Sequence, residues 1–212
     1  MRLAACVLLL TAWAHAEMKT IPVAQAGAGG AWDPAAPLWK SVPAVAVALQ
    51  RTPLLFPTDA PAALEIASVQ VRMARVPGGT VVRLEWEDKT EDAGKPAQAV
   101  DRFPDTCAIM IPASGAAEVN PSLQMGDAAH PVRIYFYDST RGAAVMEASG
   151  RETTKRTGAT FPVHAQRLAG KWAVALHLPE MAAGTPIAVA IWNGAQQDRD
   201  GRKYFSVWYK TQ

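Results

Sequence analysis

Apolar and polar residues alternate with a period of two through much of the chain after about residue 45. Residues 69–73 read VQVRM and residues 82–86 read VRLEW, and a turn with one proline and two glycines (76–80) joins them. Because successive side chains of a strand point to opposite faces, this pattern predicts two strands, each with one buried and one wetter face. The first clear element is therefore a β-hairpin.

The same character recurs to the end of the chain. Seven further segments are predicted as strands, namely 45–50, 106–111, 132–137, 160–167, 172–178, 186–192 and 204–209. Gly, Pro, Asn and Asp separate them, which favours turns over long connections. We expect an all-β protein, a β-sandwich or flattened barrel of about nine strands, with short helices only in loops around 139–150 and 180–184.

One predicted strand is apolar on both faces. Residues 186–192 read PIAVAIW, so that large aliphatic residues alternate with alanines and Trp192. Small residues opposite large ones are compatible with two stacked layers, or with a wall against something flat and bulky. Stacked layers are the favoured interpretation, because a sandwich buries its inner faces in any case.

The N-terminus has the pattern of an export signal. Arg2 precedes an apolar run over 3–13, and Ala14-His-Ala16 resembles a cleavage site, so residues 1–16 are predicted to be a signal peptide cleaved after Ala16. Residues 17–27 would then be an N-terminal extension and 28–212 one β-sandwich domain, without a membrane span. Cys107 would be left without a cysteine to pair with.

Composition and motifs exclude several classes of function. The net charge is +2 with basic residues scattered, so no basic stripe is available for nucleic acid. Zinc-hydrolase, CxxC, GxSxG and CxxCH motifs are lacking, which argues against zinc, hydrolase and covalent haem sites. His164 and His177 do not have the spacing of a metal pair, and His130 is kept as a minor candidate ligand.

Five short motifs occur in a distinctive order: FPD at 103–105, Met-Gly at 125–126, GKW at 170–172, WNG at 192–194 and GRK at 201–203. Each is weak alone. Together they resemble the haem b-binding γ subunit of the type II dimethyl sulfoxide reductase family, which includes ethylbenzene and dimethyl sulfide dehydrogenases and selenate and chlorate reductases.

The resemblance implies a β-sandwich that encloses one non-covalent haem b per chain. It places the axial methionine ligand of the iron at Met125 and the axial lysine ligand at Lys203. Lys171 and Lys155 remain rival lysines, and Met110 is the rival methionine.

An axial lysine has to present a neutral amine. Its ordinary pKa is about 10.4, so deprotonation at pH 7 costs roughly 4–5 kcal/mol, which burial and the iron bond must supply. Lys203 should therefore be buried despite its polar neighbours in the sequence. Arg133, Arg199 and Arg202 are candidates for holding the haem propionates.

The function implied is that of a periplasmic electron-transfer subunit without its own catalysis. Its partners would be an iron–sulfur β subunit, a molybdenum catalytic α subunit and a soluble carrier such as a c-type cytochrome. A free-standing cytochrome b would share the haem. The alternative without a redox cofactor is a carbohydrate-binding module that uses Trp172, Trp192 and Trp208 as stacking platforms.

Overall fold

The computed structural model describes residues 18–27, 30–53, 66–92, 103–114, 119–179 and 181–212. These residues form fifteen strands, β1 to β15, with bounds Thr20–Ile21, Val23–Gln25, Val45–Ala48, Gln50–Arg51, Ser68–Val76, Gly79–Glu87, Thr106–Pro112, Val132–Asp138, Gly142–Ala148, Lys155–Arg156, Val163–Leu168, Lys171–Leu178, Pro186–Trp192, Tyr204–Phe205 and Tyr209–Thr211. Two short 3-10 helices lie in loops, at Pro37–Lys40 and Gly194–Gln196. The predicted signal peptide lies outside the described residues.

Two sheets form a sandwich-like arrangement. The smaller one has the order β11-β12-β6-β5-β2, with β3 also paired to β5. The larger one has the order β1-β15-β13-β7-β8-β9-β10, and β14 pairs with both β13 and β4. The all-β, sandwich-like prediction is confirmed.

The predicted hairpin is present as β5 and β6. Val76 pairs with Gly79, so the turn has only two residues between the strands. Gly78 has φ of +80°, a left-handed conformation that glycine adopts without strain and other residues do not.

The core lies between the two inner faces. Ile187, Val189 and Ile191 of β13 point into it from the larger sheet. Trp86 and Trp172 stack across neighbouring strands of the smaller sheet, with ring centroids 6.3 Å apart. Because successive side chains of a strand point to opposite faces, the side chains between these core residues lie on the outer face of each sheet.

Three local predictions need correction. The helix-permissive stretch 139–150 contains strand β9 instead, which pairs with β8 along its whole length. The predicted strand 204–209 is broken into β14 and β15, because β14 pairs with the end of β13 and β15 with its beginning. Residues 181–184 form no helix, and residue 180 is outside the described part of the chain.

Within the residues that the structure describes, no helix has the length and hydrophobicity to cross a bilayer.

Candidate functional site

A cavity of about 1520 Å³ lies on the outer face of the larger sheet. This volume exceeds the roughly 300–1,000 Å³ of common small-molecule pockets, so the cavity could take a large ligand. Its floor is made by side chains that alternate with core residues of β7, β8 and β13, namely Ala108, Met110, Ile134, Phe136, Ala188 and Ala190.

The floor is low where three alanines meet. Ala190 pairs with Ala108 on the neighbouring strand, and Ala188 lies two residues away on the same face. Because a methyl group projects little from a sheet, a flat group can approach the backbone closely here. β13 is therefore apolar on both faces for two reasons. Its outer face lines the cavity, and its inner face packs in the core between the sheets.

One wall of the cavity is the loop that joins β7 to β8, and Met125 projects from it into the cavity. Met125 has φ of +73°, which is uncommon for a residue other than glycine. The Gly150 amide donates to the Met125 carbonyl at 2.9 Å, and the Gly126 amide donates to the Ser122 carbonyl at 2.8 Å. These bonds hold an otherwise costly backbone conformation, a pattern typical of functional sites.

The histidine of this loop has a structural role. Nδ1 of His130 lies 3.1 Å from Oδ1 of Asp127, and the side chain is 41% exposed. His130 is not among the residues that line the cavity. His164 is exposed on β11, and the His177 ring packs 4.1 Å from the Trp32 ring, so both belong to the other sheet.

The opposite wall is the loop that joins β13 to β14, which carries Lys203. Asp198 anchors this loop, because its fully buried carboxylate accepts from Arg51 at 2.9 Å and from Arg202 at 3.1 Å. The backbone amide of Thr52 donates to the Lys203 carbonyl at 2.9 Å. The backbone at Lys203 is therefore fixed from two directions.

The amine of Lys203 faces the sulfur of Met125. Nζ of Lys203 lies 4.0 Å from Sδ of Met125 and 5.1 Å from the centroid of the Trp192 ring. Burial lowers the pKa of Lys203, and the negative charge of Asp200 opposes part of this shift. The surroundings thus reduce the cost of deprotonating the amine, which a metal ligand requires.

The two loops enter the cavity from opposite ends of the sheet. β7 and β13 are antiparallel neighbours, and each loop follows the C-terminal end of its strand. Met125 and Lys203 therefore bring one sulfur and one nitrogen donor together above the apolar floor, within reach of a single metal centre. A thioether is a known ligand of haem iron, so this donor set is compatible with haem.

The rival ligands are placed less favourably. Lys171 lies on β12 of the other sheet, with Nζ 3.4 Å from Glu87 and 3.9 Å from Glu85. Lys155 is exposed on β10. Met110 does line the cavity, but from its floor.

The charged rim was only partly foreseen. Of the arginines expected to hold propionates, Arg199 lines the cavity, whereas Arg133 pairs with Glu147 at 2.7 Å and Arg202 pairs with Asp198. Three further arginines that line the cavity, missed from the sequence, are Arg141, Arg151 and Arg156. Their position at the cavity depends on the pairing of β9 with β8 and β10, and the sequence pattern does not predict these two strands.

Other metal chemistry finds no support in the described residues. No group of three or more His, Cys, Asp or Glu side chains there could hold a metal ion. Cys107 is fully buried, and burial raises the pKa of its thiol, so it stays protonated.

The tryptophans considered as sugar platforms are buried. Trp172 packs in the core between the sheets. Trp192 lines the cavity and Trp208 packs in the apolar cluster on the same outer face, and each is 8% exposed. The indole N–H of Trp208 donates to the Pro121 carbonyl. No flat, exposed stacking face is formed by these three residues.

Curated proteins of similar sequence are subunits of reductases and a dehydrogenase. A Haloferax mediterranei protein named as a putative respiratory nitrate reductase haem subunit is 28% identical over 84% of this chain. The γ subunit of chlorate reductase from Ideonella dechloratans is 28% identical over 91%, and that of dimethylsulfide dehydrogenase from Rhodovulum sulfidophilum is 27% identical over 82%. The chain is similar in sequence to these subunits. The resemblance inferred from the five motifs is confirmed.

The extent of the match differs between these relatives. The chain spans 66% of the length of the Haloferax protein, 84% of the chlorate reductase subunit and 72% of the dimethylsulfide dehydrogenase subunit. No family model matches the chain.

Among solved structures, the chain is similar to a family 9 carbohydrate-binding module from Caldicellulosiruptor kristjanssonii in complex with glucose. The TM-score is 0.50 at 11% identity, covering 92% of this chain and 96% of the module. At this identity the similarity concerns the fold alone, and it supports the β-sandwich.

Proposed function

We propose that this protein is a haem b electron-transfer subunit of a molybdenum-containing oxidoreductase complex, with Met125 and Lys203 as axial ligands of the iron. The observation that carries the proposal is the 4.0 Å approach of Sδ and Nζ across the cavity. The relatives support it, since the first one is named as a haem subunit and the other two are γ subunits of a reductase and a dehydrogenase.

The chain would position the haem, set the polarity of its surroundings and exclude water from it. Haem, when bound, supplies a one-electron iron couple. The soft thioether of Met125 favours the reduced metal and raises the potential. Desolvation of Lys203 lowers the cost of presenting a neutral amine. If Met125 and Lys203 both held the iron, no coordination position would be left for a substrate, and the subunit would transfer electrons without catalysis of its own.

The proposal includes the setting of the subunit. We place it in the periplasm after cleavage behind Ala16, beside an iron–sulfur β subunit and a molybdenum α subunit, with a soluble carrier such as a c-type cytochrome as its external partner. The support is the export pattern of residues 1–16 and the complexes in which the named relatives are subunits.

Visible spectroscopy of the purified chain tests the ligand assignment. The wild type should bind one haem and show a low-spin spectrum when reduced. Met125→Leu and Lys203→Leu should each become high spin or lose haem, because each removes one donor atom and keeps an apolar side chain.

Two matched variants serve as controls. Met110→Leu changes a methionine on the cavity floor, and Lys171→Leu changes a lysine of the other sheet, so both should keep the low-spin spectrum. A folded wild type that takes up no haem would refute the proposed function. Low-spin haem that survives in Lys203→Leu but not in Lys171→Leu would refute the choice of lysine.

A further inference from the structure

One row of side chains on the cavity floor runs across the strands and ends at an arginine on the edge of the sheet. Going across the strands, Ala188 pairs with Met110, Met110 with Ile134, Ile134 with Met146, and Met146 with Arg156. Directly paired residues of antiparallel strands share a face. Arg156 therefore lies on the cavity face, and it does line the cavity.

A second arginine stands beside the same edge. Arg151 lines the cavity, and it follows Gly150, whose amide donates to the Met125 carbonyl. Neither Arg151 nor Arg156 has a carboxylate partner among the described residues, whereas Arg133 on the other face of β8 pairs with Glu147. Two guanidinium groups are thus available to a ligand.

The end of the cavity at the β8–β9 turn and the Lys203 loop is less suited to an anion. Arg141 and Arg199 are found there, near the β8–β9 turn and the Lys203 loop. The acidic residues that line the cavity at that end are Glu91, Asp92, Asp138, Asp198 and Asp200. At the β10 edge, by contrast, Glu152 is the acidic lining residue beside two arginines. Coulombic attraction therefore favours carboxylates at the β10 edge.

The orientation of the two loops agrees with this choice. Met125 and Lys203 enter from opposite ends of the strands, so a flat group between their side chains extends across the strands, along the row that ends at Arg156. A planar guanidinium binds a carboxylate through two parallel hydrogen bonds, which makes arginine well suited to the task.

We propose that Arg151 and Arg156 bind the two propionate carboxylates of the tetrapyrrole, which orients it with its charged edge toward β10. This inference rests on the proposed function, since it assumes that haem occupies the cavity.

Titration with two forms of the ligand tests it. Haemin and haemin dimethyl ester, which lacks the free carboxylates, are each added to the full chain freed of haem, and binding is followed by Soret absorbance. The wild type should bind haemin more tightly than the ester. Arg151→Gln and Arg156→Gln should each weaken haemin binding about tenfold, the effect of losing a hydrogen bond to a charged group, and leave ester binding unchanged.

Two control variants sharpen the result. Lys155→Gln alters the adjacent residue, which pairs with Glu147 on the other face, and Arg133→Gln alters an arginine on the other face of β8. Neither should weaken haemin binding. Equal haemin affinity in wild type, Arg151→Gln and Arg156→Gln would overturn the inference, as would equal losses for haemin and ester. Either result leaves the proposed function intact if low-spin haem is still bound, whereas a wild type that binds neither ligand removes both.

Discussion

At the scale of single residues, the Met125 backbone is the most demanding feature of the site. Two consecutive residues, Met125 and Gly126, both have φ of +73°. A Cβ added to Gly126 would lie 2.6 Å from the His130 carbonyl oxygen, so the loop closes on itself here. Only glycine fits this position without movement of the chain.

Gly126→Ala should therefore displace Met125. We expect the free energy of unfolding to fall by about 2–3 kcal/mol, from left-handed strain plus the clash, and haem affinity to fall with it. Urea denaturation and haemin titration measure the two effects.

Gly158→Ala is the matched control, because Gly158 has φ of +81° but open space around its Cβ position. Gly158→Ala should lower the free energy of unfolding by about 1 kcal/mol, the cost of the left-handed conformation alone, and leave haem affinity unchanged. Equal effects of the two substitutions would show that the clash with His130 is unimportant.

The proposed ligand residues, Met125 and Lys203, were predicted from the order of motifs and not from local chemistry. Taken alone, Lys203 follows Asp-Arg-Asp-Gly-Arg and looks like a solvated turn residue. Its desolvation arises from Trp192 and from the opposite loop, which are distant in sequence. Such contacts cannot be predicted from the neighbours of a residue.

At the scale of elements, the Lys203 loop depends on a buried ion cluster. Asp198 has a fully buried side chain and serves both Arg51 of β4 and Arg202 of its own loop. Arg51 also donates hydrogen bonds to the side-chain carbonyl of Gln196 and to the hydroxyl oxygen of Tyr204, which complete the cluster. The cluster fastens the loop to β4 and β14.

Asp198→Asn should loosen this loop. The guanidinium groups of Arg51 and Arg202 lose their counter-charge. We therefore expect the free energy of unfolding, measured by urea denaturation, to fall by about 2–3 kcal/mol. Arg133→Gln breaks the exposed pair with Glu147 and should change stability by less than about 1 kcal/mol. A larger loss from Arg133→Gln than from Asp198→Asn would contradict this ranking.

The prediction for β9 was wrong because local preference and tertiary pairing disagree. Its sequence, GAAVMEA, is rich in residues that favour helices. In the fold, β8 and β10 supply backbone partners on both sides, and Ala144 and Val145 are buried. Pairing of this kind overrides propensity. The arginines of the cavity were missed for the same reason, since their position depends on β9 and β10.

At the scale of the whole molecule, Asp105 connects the two sheets. Its carboxylate accepts from the indole N–H of Trp172 in the smaller sheet and from the Gly194 amide after β13 in the larger one, each at 2.9 Å. Asp88 is buried at the end of β6, where burial and the negative charge of Asp105 raise its pKa to about 6. One of its carboxylate oxygens has no hydrogen-bond partner among the described residues.

Stability should therefore fall as pH rises from about 4 to 6. The folded protein keeps the Asp88 proton to a higher pH than the unfolded chain, so this group stabilises the fold at low pH and opposes it once ionised. Asp88→Asn should raise the free energy of unfolding at pH 7 by about 1–3 kcal/mol and flatten this part of the pH profile. Loss of stability at pH 7 in Asp88→Asn would rule out this account.

The hairpin, most strands and the sandwich-like arrangement followed from alternation alone, because each strand has its own period-two pattern. Which face of the larger sheet carries the cavity did not follow, since β13 is apolar on both sides. That choice is made by the loops that cover the outer face, and their paths depend on contacts such as Gly150 with Met125.

The facing side chains of Met125 and Lys203 are separated by 78 positions along the chain. If one metal ion bonded to both, these coordination bonds would exist only in the folded chain, so the free energy of metal binding would add to the free energy of folding. Loading with the cofactor would then be part of folding, as in small metalloproteins.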